Sequence, residues 1–153
     1  MLNQRPGTSD LPQEIQLTIP ILQNMEVAAT QTAEAVAGFM EFDSDQIDEL
    51  KHALIEACIN AFEHSKSQEN KVYIRFVMRP DDLMVIIQDY GQGFDRESVP
   101  TPDISAKVGG KDDYKRGWGL MLIESMMDSV EIASGETGTM ITMIKLRQKG
   151  GSQ

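Results

Sequence analysis

The stretch "LMVIIQDYGQGFD", residues 83–95, decides how this chain is to be read. "LMVIIQ" is a strongly apolar run of strand type. It ends in an acid, Asp89, and two glycines follow, Gly91 and Gly93. Glycines placed just after a strand mark a backbone that must come close to something. Upstream lies "KVYIRFVM", 71–78, which alternates cleanly. Val72, Ile74, Phe76 and Met78 point one way and Lys71, Tyr73 and Arg75 the other, the pattern of a strand with one buried and one wet face. "RPDD" separates the two runs as a turn, so together they predict an antiparallel hairpin.

Outward from the hairpin, "EIQLTIPI", 14–21, alternates and predicts a first strand. Residues 24–40 predict a helix opened by Asn24 as N-cap. Asp43 or Ser44 is a second N-cap, for a helix running to about residue 64. Its apolar residues Ile47, Leu50, Leu54, Ala57, Cys58 and Ala61 fall on one stripe. Downstream, residues 90–116 show no periodic apolar pattern, and a loop of that length inside a small domain is usually functional. A helix is expected over 119–128, then strands near 129–134 and 138–146 joined by "SGETG". These elements predict an α+β two-layer sandwich, a mostly antiparallel sheet covered on one face by helices. One domain is expected over 13–147, with loose tails at 1–12 and 148–153.

Composition narrows the function classes. The chain has 153 residues, a net charge of −10 and a single cysteine, Cys58. A surface this acidic repels phosphate backbones, which argues against direct nucleic-acid binding. One cysteine permits no internal disulfide and no cysteine metal cluster. No apolar run nears the ~20 residues of a membrane span, and the polar start "MLNQRPGTSDLPQ" lacks the apolar middle of a signal peptide. The expected setting is the cytoplasm.

On the long helix, Glu56 and Asn60 stand four apart and share a face; Glu49, His52, Glu63 and His64 lie on or beside it. Alone, such a pair reads as a solvated face. Two glycine segments change the weight of that reading: "DYGQG" ends a strand and "RGWGL" opens a helix. Gly91, Gly93, Gly117 and Gly119 would each permit backbone approach, and free N–H groups at a helix start favour anions. Between the segments lie Lys107, Lys111, Lys115 and Arg116, four of only fourteen basic residues. Such a loop suits a polyphosphate.

Along the chain the order is E-x-x-x-N on a helix, D-x-G-x-G after a strand, G-x-G before a helix, and then Gly138–Thr139. At this point the sequence resembles the Bergerat-type ATP-binding fold shared by gyrase, histidine kinases, mismatch-repair ATPases and a heat-shock chaperone. It is most similar to the short bacterial anti-sigma factors that are also serine-protein kinases. "EACINAFEH", 56–64, matches the asparagine box, "DYGQGFD" the first glycine box, "RGWGLMLIESMMD", 116–128, the second, and "GETGTMITM", 135–143, the final segment. The resemblance spans about residues 14–147.

The resemblance implies ATP or ADP with Mg²⁺ as ligands. Glu56 would be the general base, and Asn60 would supply a neutral oxygen to Mg²⁺. Asp89 would accept a hydrogen bond from the adenine amino group, with Thr139 assisting through its hydroxyl. Gly91 and Gly93 would pass close to the nucleotide, 94–116 would form a lid, and Gly117, Gly119 and Leu120 would lie at the phosphates. Lys115 or Arg116 would stabilise charge on the transferred phosphoryl group. The implied activity is phosphorylation of a serine in an anti-anti-sigma-type antagonist protein, with a sigma factor as a possible second partner and a homodimer as the expected assembly. The alternative is a non-catalytic, nucleotide-dependent switch acting on a non-sigma regulator; the non-sigma target rests on the helix over 24–40, which carries no lysine or arginine.

Overall fold

The computed structural model describes residues 13–64, 69–90, 111–135 and 138–147, with the side chains of His64 and of 111–118 outside that description. The elements in chain order are β1 (Gln13–Pro20), α1 (Glu26–Phe39), α2 (Ser44–His64), β2 (Lys71–Met78), β3 (Asp82–Asp89), α3 (Lys111–Met126), β4 (Ser129–Gly135) and β5 (Gly138–Leu146). The strands form one sheet in the order β1-β2-β3-β5-β4, and every neighbouring pair is antiparallel. This is the α+β architecture that the strand and helix patterns predict.

Strand periodicity explains which face is covered. Val72, Ile74 and Phe76 of β2 are buried together with Leu83, Val85 and Ile87 of β3 and Ile141 and Met143 of β5. In register, Ile74 stands opposite Ile87, and Ile87 opposite Ile141, so these residues line one face. Helix α2 lays Leu50, Leu54, Ala57, Cys58 and Ala61 into the same core, α1 adds Ala29, Ala33, Val36 and Ala37, and α3 adds Leu120 and Ile123. Burial pushes the Cys58 thiol up to about 12, with the Glu26 charge adding to the shift. The cysteine is thus a small apolar group of the core, as its place on the stripe predicts.

Helix α2 opens on a capping box. The Asp43 carboxylate accepts from the Gln46 backbone N–H at 2.8 Å, and the Asp43 N–H donates to Gln46 Oε1 at 3.3 Å. Of the two predicted N-caps, Asp43 is the one used. Helix α1 differs from expectation. It starts at Glu26 with Met25 in the cap position and no side-chain cap bond. Asn24 has φ 75°, so it supplies the left-handed turn before the helix and is not its cap.

The larger correction concerns α3, which begins at Lys111, eight residues before the predicted start. The glycines at 117 and 119 suggest a helix start, because glycine weakens a helix interior by ~1 kcal/mol. Close packing outweighs that preference here. A Cβ added at Gly119 would meet Asn60 Nδ2 at 3.1 Å and Glu56 Oε1 at 3.3 Å. Glycine is what lets α3 lie against this face of α2. The unbonded N–H groups of a helix start therefore belong to the turn at Lys111 and not to Gly119, and the segment 111–116, expected as the end of a lid, is helical.

Candidate functional site

Two structural pieces assemble the predicted residues. The first is the seam between α2 and α3. Glu56 and Asn60 are one helical turn apart on α2 and both border Gly119 of α3. The two half-buried side chains thus form a polar wall that a glycine, and no larger residue, faces without displacement. Within this wall Asn60 Nδ2 is buried and has no hydrogen-bond partner among the described residues. A buried amide donor without a partner costs about 1–3 kcal/mol, and such an atom in a folded protein asks for a reason.

The second piece is the end of the sheet. Asp89 closes β3 on the helix-covered face and is only 5 % exposed. Its register partner on β5 is Thr139, which is also buried. Thr139 in turn faces Ser134 of β4, with the two hydroxyl oxygens 3.1 Å apart. The strand turn that precedes Thr139 is specific in its chemistry. Gly138 has φ 132°, and a Cβ there would overlap the Asp89 carbonyl oxygen and lie 3.0 Å from Tyr90 Cα. Only glycine lets β5 begin this close to Asp89.

The chain directions bring the two pieces to the same end of the molecule. Gln46 Nε2 donates to the Leu146 carbonyl at 3.1 Å, so the start of α2 lies at the finish of β5. From there α2 runs toward Asn60 while β5 runs back toward Thr139. Eleven residues of helix, from Glu49, advance about 16 Å. Six residues of strand, from Lys145, span about 20 Å. Glu56 and Asn60 therefore lie toward the Asp89–Thr139 end of the sheet.

The remaining predicted residues divide. Leu120 is 5 % exposed and belongs to the hydrophobic core inside α3, so the structure places it away from the phosphate position that the resemblance implies. Lys115, Arg116 and Gly117 have backbone positions in α3, but their side chains lie outside the described residues. Gly91, Gly93 and the lid from 94 to 110 lie outside them altogether, as do both expected tails. Two site residues carry little signal of their own in the sequence. Gly138 stands out there only as part of a Gly-Thr pair after "SGET". Ser134 carries none, because its pairing with Thr139 arises from hairpin register. Among the described residues no helix is long and apolar enough to cross a membrane.

The seam fits the ligands that the sequence implies, on two observations. Asn60 holds an amide without a partner among the described residues, and Gly119 keeps a side chain from crowding that amide and the Glu56 carboxylate. A carboxylate, a free amide and a buried acid at a strand end form a donor and acceptor set suited to a nucleotide with its phosphates.

Comparison with known proteins shows the family. Residues 21–145 match the family model for the histidine kinase-like ATPase domain. A serine-protein kinase RsbW of Halalkalibacterium halodurans is 30% identical over 142 residues, covering 90% of this chain and 86% of that protein. One from Bacillus velezensis is 33% identical over 141 residues, covering 86% and 84%. A crystal structure of the RsbU and RsbW domains of a Mycobacterium tuberculosis protein shares the fold, with a TM-score of 0.65 at 17% identity, over 89% of this chain and 32% of that one. With the asparagine face, the strand-end acid and the glycine seam all in one fold, the chain belongs to the histidine kinase-like ATPase domain family, among the relatives of the serine-protein kinase RsbW.

Proposed function

We propose that this protein is an ATP-dependent serine-protein kinase and anti-sigma regulatory factor of a partner-switching system. Its protein substrate is an antagonist of the anti-anti-sigma type. The observation that carries this reading is the wall of Glu56 and Asn60 against Gly119, with a buried amide that has no partner among the described residues. An inert fold has no use for such an arrangement. The likeness to serine-protein kinases over most of the chain supports it.

In this reading Asp89 receives the adenine amino group, and Thr139, held by Ser134, braces the same end. Asn60 lies where phosphate oxygens arrive. Glu56 takes the proton from the attacking serine hydroxyl as its oxygen bonds to the γ-phosphorus. The bond from that phosphorus to the β–γ bridging oxygen breaks, and ADP leaves with the electron pair. Mg²⁺, held by the Asn60 oxygen and by phosphate oxygens, would neutralise charge on the phosphates. Lys115 or Arg116 is assigned to the transferred phosphoryl group, and Gly91, Gly93 and Gly117 to close backbone approach.

A second reading, in which the regulated partner is not a sigma factor, draws on one observation. Helix α1 exposes Val27 and Phe39, the latter 80 % exposed, and has no basic residue in its last turn. That surface suits an apolar contact better than an acidic one. The deciding experiment is transfer of labelled phosphate from ATP to purified proteins encoded beside this one. Serine-linked label on one of them supports the kinase. ATP binding without transfer to any of them would leave the nucleotide-dependent switch.

A further inference from the structure

At the opposite end of the same two helices lies a buried cation that the proposed chemistry does not use. Lys145 of β5 is 6 % exposed. Its ammonium donates to Glu49 Oε1 of α2 at 2.6 Å and to the Met126 carbonyl, the last of α3, at 2.6 Å. Around it, Gln46 donates to the Leu146 carbonyl, the Leu146 N–H donates to Asp128 Oδ2 at 2.8 Å, and the Asp128 N–H to the Ile144 carbonyl at 2.9 Å. The finish of β5 therefore grips both the first turns of α2 and the chain at the end of α3.

The spacing links this grip to the site. Glu49 precedes Glu56 by seven residues on α2, and Met126 follows Gly119 by seven on α3. The helices run antiparallel and meet through polar groups at two levels, about 10 Å apart. At one level Lys145 joins them. At the other Gly119 faces Asn60 and Glu56 with little room to spare. A rigid helix transmits an axial shift along its length, and leaving a buried ammonium unpaired is strongly unfavourable. Whatever fixes Met126 against Glu49 therefore also fixes Gly119 against Asn60.

We propose that Lys145 is a positioning residue for the nucleotide site. It sets the axial register of α3 on α2 and thereby holds the clearance between Gly119 and the Asn60 amide. The proposal rests on the nucleotide reading of that site, but its first readout needs no nucleotide. The ¹⁵N side-chain amide signal of Asn60, assigned by its loss in Asn60→Leu, reports the seam directly in the free full-length protein. Lys145→Met removes the charge and keeps the stem. Glu49→Gln weakens the grip from a half-exposed position. Val77→Ala, on the uncovered face of the sheet, controls for general destabilisation. The expected result is a shifted Asn60 amide pair in Lys145→Met, a smaller shift in the same direction in Glu49→Gln, and none in Val77→Ala. Mg-ATP affinity by calorimetry should fall about 3- to 30-fold in Lys145→Met, the range of couplings carried through packed elements. An Asn60 signal that stays in place in both grip variants, or that moves as far in Val77→Ala, overturns the proposal. If Lys145→Met does not fold, Glu49→Gln carries the test with the same two outcomes. If the wild-type protein binds no nucleotide, the proposed function fails, while the amide shift still decides the role of Lys145.

Discussion

The two ends of the α2–α3 pair are built on opposite rules. At the Lys145 end the polar groups answer one another: Gln46 with Leu146, Lys145 with Glu49 and Met126, and Leu146 with Asp128. At the Gly119 end a buried amide donor has no partner, and the facing residue is the one type that adds no side chain. A protein optimised for stability alone would have closed both ends like the first. On the proposed reading, the second end gives up stability for a ligand, and the first holds the pair together while it does so.

Apart from the Lys145 grip, which reaches the seam, substitutions at the two ends should therefore differ in whether they lower ligand affinity or stability. The largest effect belongs to Glu56→Gln, which keeps the shape and removes the base. Single-turnover phosphotransfer at saturating ATP should drop by roughly 10²–10⁴-fold with nucleotide binding intact. Turnover near that of the wild type would return Glu56 to an ordinary polar face. Asp89→Asn replaces an acceptor with a donor at the buried strand end and should weaken nucleotide binding by about 1–3 kcal/mol in calorimetry. Unchanged affinity would remove the adenine role from Asp89. Gly138→Ala places a Cβ against the Asp89 carbonyl at φ 132°. It should destabilise the fold by more than ~1 kcal/mol, read as a lower urea midpoint, and should also weaken nucleotide binding by displacing Asp89. The smallest effect is Asp43→Ala, which removes the capping box at the paired end. A loss of about 1 kcal/mol in stability is expected, with nucleotide affinity retained. A variant that instead lost affinity and kept its stability would reverse the division between the ends.

Much of this was legible in the residues, for identifiable reasons. Alternation in 71–78 and the apolar run of 83–88 give the hairpin because strand side chains repeat every two residues. The stripe from Ile47 to Ala61 gives α2 because helix faces repeat at 3.6. The acid at position 89 is buried where its strand ends, as the abrupt change from apolar run to acid suggests. Other features depend on partners distant in sequence. Gly119 reads locally as a break, and only the approach of α2 shows why it lies inside a helix. Asn24 reads as a cap because its side chain suits one, yet asparagine also tolerates the left-handed turn that it adopts. Lys145 falls with Ile141 and Met143 on the buried face by the period-two rule, but its partners, Glu49 and the Met126 carbonyl, come from elements that no local pattern brings near it.

The most direct test compares the folding stability of the wild-type protein and Asn60→Leu, each in urea, without nucleotide and with Mg-ATP at about a hundred times the wild-type Kd. Removing a buried donor that has no partner leaves no orphan behind. Without nucleotide the variant should then be at least as stable as the wild type. With Mg-ATP the wild type should gain about 2.7 kcal/mol by mass action, and the variant should gain far less. An equal gain in both proteins, or a variant clearly less stable than the wild type in the absence of nucleotide, would contradict the assignment of the Asn60 amide to a bound nucleotide.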